Sequence, residues 1–321
     1  MEQFYKRLKL VWRNSPDLIF FWVLVFCIPF GTRRILATLV PYSLTTPNEW
    51  TSVFLYATDI LVILIVFFWL RRLLRFHQHF SRYGRALNIA VLSLVIIAIA
   101  SALLSPFPEL GIYGTVKLIE LGLVFLYAVY NIVTYRRRLL TALLIFAAGG
   151  IQAIIAIAQF IGQTSLGLTI LGESKLGTYL PNVAEVIYGG QPILRSYGTF
   201  PHPNVLAYFL IVSLVMGFYV FWRVREPYFR LTVAFLGGLE FLALLLTFSR
   251  VAWLSLAVVI IVAAIVMVVL RRISRQQTLW SLVRVNLRLP VVKLSIILFL
   301  IMAIGSLAVL TPLLNNRVTI S

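Results

Sequence analysis

One ten-residue segment holds most of the side chains that could do chemistry in an otherwise apolar chain. Residues 195–204 read RSYGTFPHPN and stand directly before an apolar run. Pro201 and Pro203 disfavour helix in the residues that precede them, so we expect a helix to begin after Pro203. Free backbone amides and the macrodipole at such a start favour an anion. Arg195 could grip phosphate oxygens, and His202 could donate a hydrogen bond or move a proton.

The same residue types also fit a purely structural interpretation of this segment. Asn204 would then belong to a capped helix start, with His202 at the membrane interface. The guanidinium of Arg195 would extend toward the lipid headgroups. The residue types by themselves leave both interpretations open.

Arg250 is a second cationic candidate, in the sequence Thr247-Phe248-Ser249-Arg250 between two apolar runs. If Arg195 and Arg250 both lie on the outer face of the membrane, they run against the usual distribution of basic residues, and each needs a partner or a task. Contact with headgroups is the simpler alternative. Two guanidinium groups on one side of the membrane would suit a diphosphate better than a single carboxylate.

Four ionisable residues lie inside apolar runs, where a charge costs at least about 2.5 kcal/mol and is by default a candidate for function. Lys117 and Glu120 are three residues apart on a predicted helix, which predicts an ion pair. Asp59 and Glu240 have no partner nearby in the sequence. Either could meet an arginine from another helix or line a path for protons or ions. Outside the runs, Glu173 lies in a glycine-framed segment that could hold a general base.

The composition indicates an integral membrane protein. Of the 321 residues, 61% are hydrophobic and 12% are charged, whereas a soluble domain is about half apolar and about a quarter charged. The net charge of +18 is distributed between apolar runs, which argues against a nucleic-acid partner. The single cysteine, Cys27, excludes an intramolecular disulfide and a cysteine-based metal site. No Walker loop, dinucleotide fingerprint, HExxH or paired-aspartate signature supports nucleotide-dependent chemistry.

The apolar runs predict an all-α polytopic protein, with residues 1–321 forming a single transmembrane domain of about nine helices. Each run approaches the roughly 20 residues that cross a bilayer. The connection 161–202 is long enough to be functional by length alone. The first run is the weakest, because Gly31-Thr32-Arg33-Arg34 interrupts it. The nine runs lie at 18–37, 51–70, 86–104, 112–134, 139–160, 203–222, 231–249, 251–270 and 294–312.

Alternate connections carry 21 of the 28 lysines and arginines. Basic connections resist translocation and remain cytoplasmic, so the N-terminus is predicted to be cytoplasmic. Residues 195–204 and Arg250 then lie on the outer face. The basic segments are 1–17, 71–85, 136–138, 223–230 and 271–293.

Four short pieces of the chain, in order, resemble the O-antigen ligase and polymerase family of polytopic membrane enzymes. The third piece is the most specific, since Gly-Thr-Phe and His-Pro-Asn stand together before an apolar helix. The resemblance extends over roughly residues 50–312. The pieces are YATDIL at 56–61, IAIAQF at 155–160 with Gly172-Glu173-Ser174, residues 195–204, and Phe248-Ser249-Arg250.

The resemblance implies an inverting glycosyl transfer on the outer face of the cell inner membrane, without metal or cofactor. A hydroxyl of a glycan or lipid acceptor would attack a glycan carried on undecaprenyl diphosphate and expel the lipid diphosphate. Arg250 matches the family's serine-arginine element and would stabilise that diphosphate. Arg195 and Asn204 would help to bind it, and His202 would position the motif or the phosphate. Glu173 and Asp59 are possible accessory residues.

The family places a catalytic histidine and a further arginine in a large outer loop followed by more helices, beyond the region that matches. We therefore expect the chain to be an N-terminal fragment of a longer protein, with a truncated relative as the alternative. Two other functions stay open: a transporter or flippase of lipid-linked glycans, and a non-catalytic subunit of polysaccharide export. A transporter should show inverted repeats. The chain has no evident repeat, which favours the enzyme.

Overall fold

A computed structural model of the chain describes residues 15–38, 52–76, 82–178, 180–188 and 190–273. Most of these residues are helical. The helices are α1 (Pro16–Cys27), α2 (Ala57–Phe76), α3 (Arg82–Leu103), α4 (Pro108–Asn131), α5 (Tyr135–Gly162), α6 (Pro203–Arg223), α7 (Pro227–Leu246) and α8 (Arg250–Ile273). The strands are β1 (Arg33–Thr38), β2 (Ser52–Tyr56), β3 (Glu185–Tyr188) and β4 (Gln191–Leu194).

Among the described residues, five helices are long and apolar enough to cross a membrane: residues 85–103 of α3, and the whole of α4, α5, α6 and α7. They confirm the prediction of a helical, multi-pass membrane protein. The predicted number of nine spans is not confirmed, since α1 and the described apolar part of α8 are shorter and α2 is not among the five. In the predicted span 51–70, β2 occupies residues 52–56 and α2 begins only at Ala57. The predicted span 294–312 lies outside the described residues. Helices α1, α4, α6 and α7 each begin with proline, whose missing amide is tolerated at the first helical position.

The prediction of a span over 18–37 is wrong, and the fold is not entirely α-helical. Helix α1 ends at Cys27, and β1 follows it and pairs antiparallel with β2. A second antiparallel hairpin, β3–β4, lies within the long connection 161–202. Arg33 is one of the residues that interrupt the first apolar run, and it pairs with Tyr56 in this sheet. Strand pairing gives hydrogen-bond partners to backbone groups that would lack them at the end of a broken helix.

The contacts divide the chain into two compact units. The first unit comprises residues 1–28 and 32–141, and the second comprises residues 29–31 and 142–321. In the first unit, Tyr127 of α4 is completely buried and packs against Phe21 and Trp69, with ring centroids 5.1 and 5.4 Å away. These rings join α4 to α1 and α2.

The core of the second unit is built from small and aliphatic side chains of four helices. Ala153 and Ala156 of α5 and Ala207 of α6 are completely buried there, so the helix backbones can approach closely. Ala243 of α7 and Ala252 of α8 complete the same cluster. The β3–β4 hairpin adds a smaller cluster in which Val186 packs with residues 245, 246 and 248. This core fixes the ends of α5 to α8 around residues 195–200.

Candidate functional site

Residues 195–200 are held against α5 by the side chain of Gln159, which is completely buried. Its Nε2 donates to the carbonyl of Gly198 at 2.8 Å. Its Oε1 accepts from the amides of Tyr197 and Gly198 at 3.2 and 2.8 Å. One amide side chain therefore satisfies three backbone groups of the segment.

Two further contacts on the same face of α5 fix the rest of the segment. Gln152 accepts from the amide of Thr199 at 2.9 Å and donates to its hydroxyl at 2.8 Å. The hydroxyl of Ser196 donates to the carbonyl of Ala156 at 2.9 Å. Gly198 has a φ of 61°, and a Cβ at this position would contact Gln152 Oε1, so only glycine fits here. The segment is therefore rigid before any ligand binds.

Arg195 connects the ends of two helices. Its Nε donates to the carbonyl of Thr247 at 2.7 Å, and the amide of Ser196 donates to the carbonyl of Leu246 at 3.1 Å. Both carbonyls belong to the C-terminal end of α7, where a cation is favoured by the helix dipole. The Nη2 of Arg195 donates to Asn204 Oδ1 at the start of α6 at 2.9 Å. Arg195 and Asn204, which the sequence predicted as one site, are thus in direct contact.

Helix α6 begins at Pro203, within one residue of the predicted start, and its first amides already have acceptors. His202 is the N-cap residue, and its Nδ1 accepts from the amide of Asn204 at 3.1 Å. The amides of Val205 and Leu206 donate to the carbonyl of His202 at 3.0 and 3.3 Å. The amides of Asn204, Val205 and Leu206 are therefore not free to form the anion site that the sequence predicted at this helix start.

The hydrogen bond at Nδ1 defines the chemical state of His202. A neutral imidazole that accepts at Nδ1 carries its proton on Nε2. Desolvation and the positive charge of Arg195 lower the pKa of His202, which favours this neutral form. The ring also makes an edge contact with Tyr197, with centroids 6.3 Å apart. His202 can therefore donate a hydrogen bond through Nε2.

Arg250 is the first residue of α8 and follows a tight corner after α7. Phe248 in this corner is buried with a φ of 50°, a left-handed conformation that is strained for an aromatic residue. Within the described residues, the exposed side chain of Arg250 has no hydrogen bond or ion pair. Arg250 is three positions after Thr247, so their Cα atoms are at most about 11 Å apart. We call Arg195, Asn204, Thr247 and Arg250 the arginine corner.

The first turn of α8 contributes further donors to the arginine corner. Its first backbone hydrogen bond joins the amide of Trp253 to the carbonyl of Ser249 at 3.1 Å. The amides of Arg250, Val251 and Ala252 have no acceptor in the part of the chain that the structure describes. Ala252 is completely buried, whereas Arg250 and Val251 are exposed. The positive end of a helix dipole and the amides of Arg250 and Val251 therefore lie at the surface here without acceptors, in contrast to the start of α6.

Glu173 is buried and accepts three hydrogen bonds. Gln159 Nε2 donates to Oε1 at 2.7 Å. The amides of Leu166 and Leu168 donate to the two carboxylate oxygens at 2.7 and 2.5 Å. These donors give Glu173 an anchoring role for residues 166–173, which differs from the general base that the sequence suggested.

Asp59 belongs to the first unit, where it has a charged partner. Its Oδ2 forms an ion pair with Lys117 and accepts from the amide of Tyr56 at 2.9 Å. Lys117 also pairs with Glu120 at 3.2 Å, as the sequence predicted. An arginine from another helix was one predicted partner of Asp59. The partner in the structure is Lys117 of α4.

A second charged group in the first unit was missed from the sequence. Asp17 is completely buried, accepts from the hydroxyl of Tyr127 at 2.6 Å and pairs with Arg72 at 3.0 Å. Asp17 and Arg72 lie in the basic segments 1–17 and 71–85, which the sequence predicted to be cytoplasmic, so their pairing was not predicted. Gln152 and Gln159 were also missed as a pair, although their spacing of seven residues in an apolar helix places both on one face.

The arginine corner presents donors and positive charge, so it can bind an anion rather than activate a nucleophile. Comparison of the chain with known protein families, with curated proteins and with solved structures finds no match. The function of the site is therefore interpreted from its geometry and from the short sequence motifs.

Proposed function

We propose that the arginine corner binds the diphosphate of an undecaprenyl-diphosphate-linked glycan, and that the protein transfers this glycan to a hydroxyl of an acceptor. The reaction is O-antigen ligation or polysaccharide polymerisation on the outer face of the cell inner membrane. The acceptor is a glycan or a lipid. This proposal joins the sequence resemblance to the geometry of four residues.

The observation that carries the proposal is the hydrogen-bonding of Arg195 to both Thr247 and Asn204. These two bonds bring residues 195–204 to the corner that leads into Arg250. Arg250 is exposed, and the amides of Arg250 and Val251 have no acceptor among the described residues. Two guanidinium groups and a helix N-terminus supply the donors that a diphosphate needs.

In the proposed reaction, the acceptor oxygen forms a bond to the anomeric carbon, and the bond from that carbon to the diphosphate oxygen breaks. The electron pair of the broken bond goes to the leaving diphosphate. Arg250 and Arg195 stabilise this developing charge without a metal, because they are positioned before the reaction begins. The resemblance implies that a histidine beyond the matched region accepts the hydroxyl proton.

His202 and Asn204 have supporting roles in this proposal. The Nε2–H of His202 donates to a phosphate or glycan oxygen. Asn204 fixes Arg195 through the 2.9 Å hydrogen bond, so that the guanidinium keeps one orientation. Gln159 holds the backbone of Tyr197 and Gly198 in the same segment, and Glu173 accepts a hydrogen bond from Gln159.

The test is binding of undecaprenyl diphosphate to the purified protein, measured by native mass spectrometry from detergent. We expect Arg250→Lys to weaken binding by about tenfold or more, since a lysine cannot make a planar two-pronged contact. Arg225→Ala is the matched control, because Arg225 is exposed in the connection at the opposite ends of α6 and α7. Undecaprenyl monophosphate serves as the second probe.

Equal binding by wild type, Arg250→Lys and Arg225→Ala would contradict the proposal. If Arg250→Lys weakens the binding of undecaprenyl monophosphate and of undecaprenyl diphosphate to the same degree, the site does not distinguish a diphosphate from a monophosphate. Transfer of a radiolabelled glycan in proteoliposomes would then identify the protein as an enzyme.

A second candidate function is transport of a lipid-linked glycan. Glu240, which is completely buried in α7, favours it, because ionisable residues in the membrane interior often line proton or ion paths. Movement of the labelled lipid across the proteoliposome bilayer without glycan transfer would support this candidate over the enzyme.

A further inference from the structure

Glu240 lies in the middle of the packed helices of the second unit. Its side chain is completely buried, and its Oε1 is 3.0 Å from the hydroxyl oxygen of Ser213 on α6. Its Oε2 is buried without a hydrogen-bond partner among the described residues. The hydroxyl oxygen of Ser213 is also 3.4 Å from the carbonyl of Ile145 on α5. Three helices thus meet at one carboxyl group.

The helices around Glu240 provide no opposite charge. The sequence has no Asp, Glu, Lys, Arg or His in 139–162, 204–222 or 251–270, where Tyr208 and Tyr219 are the titratable side chains. On α7 itself the nearest charged residue is Arg230, about 15 Å away along the helix axis. The cost of an isolated ionised carboxylate in this environment is far larger than that of a neutral acid.

We propose that Glu240 is a proton-binding site, in which the carboxyl group is kept as a neutral acid. Its O–H donates to the hydroxyl oxygen of Ser213, whose own O–H donates to the carbonyl of Ile145. Oε2 is then the carbonyl oxygen of an acid, and leaving such a neutral acceptor without a donor costs far less than leaving a carboxylate oxygen without one. This proposal does not depend on glycan transfer.

Close packing around the carboxyl group explains why a proton fits and a larger cation does not. Gly149 of α5 lies directly against Ser213 and Glu240, and a Cβ at this position would be 2.7 Å from Oε1. Oε1 and the hydroxyl oxygen of Ser213 are already at hydrogen-bond distance. Loss of the proton would place a charge where α5, α6 and α7 touch, so the packing of these helices is coupled to proton occupancy.

The experiment is labelling of the full chain, in phosphatidylcholine and phosphatidylglycerol liposomes, with the apolar reagent dicyclohexylcarbodiimide. The acid's O–H adds across a C=N bond of the reagent, the proton moves to nitrogen, and nothing leaves. Peptide mass spectrometry should find one adduct on Glu240 in wild type and none at this position in Glu240→Gln. The yield should stay constant between about pH 6 and about pH 8, where an ordinary glutamate is ionised.

Two carboxylates in the same digest are internal controls. Asp59 is paired with Lys117, and Glu173 accepts three hydrogen bonds, so both should remain unlabelled. Ser213→Ala should keep the adduct, because the acid stays buried and without a cation. A water-soluble carbodiimide should leave Glu240 unmodified in wild type.

Two results would overturn the proposal. One is the absence of an adduct on Glu240 in protein whose helical circular dichroism is intact. The other is protection by sodium chloride relative to choline chloride at equal ionic strength, which would make the bound cation sodium. Because the adduct is mapped in the wild type, the result does not depend on whether Glu240→Gln folds.

Discussion

The two units of the chain treat their buried polar groups in opposite ways. In the first unit, opposite charges meet: Lys117 pairs with Asp59, and Arg72 pairs with Asp17. In the second unit, Gln152, Glu173 and Arg195 bond to uncharged groups, and within the described residues Glu240 and Arg250 have no oppositely charged partner. The first arrangement cancels charge, and the second leaves charge available for a ligand or a proton.

This difference separates structural charges from candidates for function. A charge pair in the membrane interior lowers its own cost, so it needs no further explanation. An ionisable group that is left without a counter-charge is maintained at a cost, whether it stays charged or is held neutral, and is the better candidate for chemistry. By this criterion Asp59 and Lys117 are structural, whereas Arg250 and Glu240 are functional candidates.

The largest effect is expected from removing the amide that organises the second unit. In Gln159→Leu, the amides of Tyr197 and Gly198 lose their acceptor, and the carbonyl of Gly198 loses its donor. Each buried group without a partner costs about 1–3 kcal/mol, so we expect a loss of about 3–5 kcal/mol in the free energy of unfolding. Denaturant titration in detergent measures it. Gln191→Leu, at an exposed position of β4, is the control and should change stability by less than about 1 kcal/mol.

A change below about 1 kcal/mol in Gln159→Leu would show that residues 195–200 are held by other contacts. The contrast between the two units would then lose its main support.

A smaller effect is expected in the first unit, where the contribution of charge can be isolated. Lys117→Met leaves Asp59 without its cation, and we expect a loss of about 1–3 kcal/mol, because the lysine is 27% exposed and water screens part of the charge. Adding Asp59→Asn to Lys117→Met should recover part of this loss. The same denaturant titration on the two single variants and the double variant completes a double-mutant cycle.

The same double-mutant cycle can be measured in the second unit with Glu240→Gln and Ser213→Ala. There the two side chains are joined by a hydrogen bond and not by opposite charges. Additive losses in Asp59→Asn and Lys117→Met would mean that the ion pair contributes no coupling and that the first unit is held by packing alone.

The features that the sequence predicted correctly are those encoded by local pattern. The apolar runs gave the positions of α3 to α8, Pro203 gave the start of α6, and the spacing of Lys117 and Glu120 gave their ion pair. Each depends on residues that are close in the chain.

The features that were missed depend on partners far apart in the chain. Asp59 meets Lys117 across 58 positions, and Gln159 meets Gly198 across 39 positions. The β1–β2 pairing replaced a predicted span, because a short apolar stretch such as Ile35 to Thr38 fits a strand as well as a helix end. Arg195 and Arg250 were identified by residue type and motif, whereas the capping of α7 by Arg195 required the tertiary structure.

The smallest effect is expected at His202, where a titration separates a helix cap from a charged ligand contact. The pKa of His202 is lowered in the folded protein from the ordinary value of 6.5, so the unfolded chain takes up its proton first as the pH falls. Stability from the neutral cap is therefore fully present above about pH 6.5, and it declines as the pH falls from there through the folded-state pKa. His202→Asn keeps a good N-cap acceptor that does not titrate, so this decline should disappear.

The measurement is the unfolding midpoint of wild type minus that of His202→Asn between about pH 5 and about pH 8. Contributions from His77 and His79 cancel in this difference. A difference that grows in favour of wild type at low pH would mean that protonated His202 has an anionic partner in the folded protein, and the cap on α6 would then be secondary.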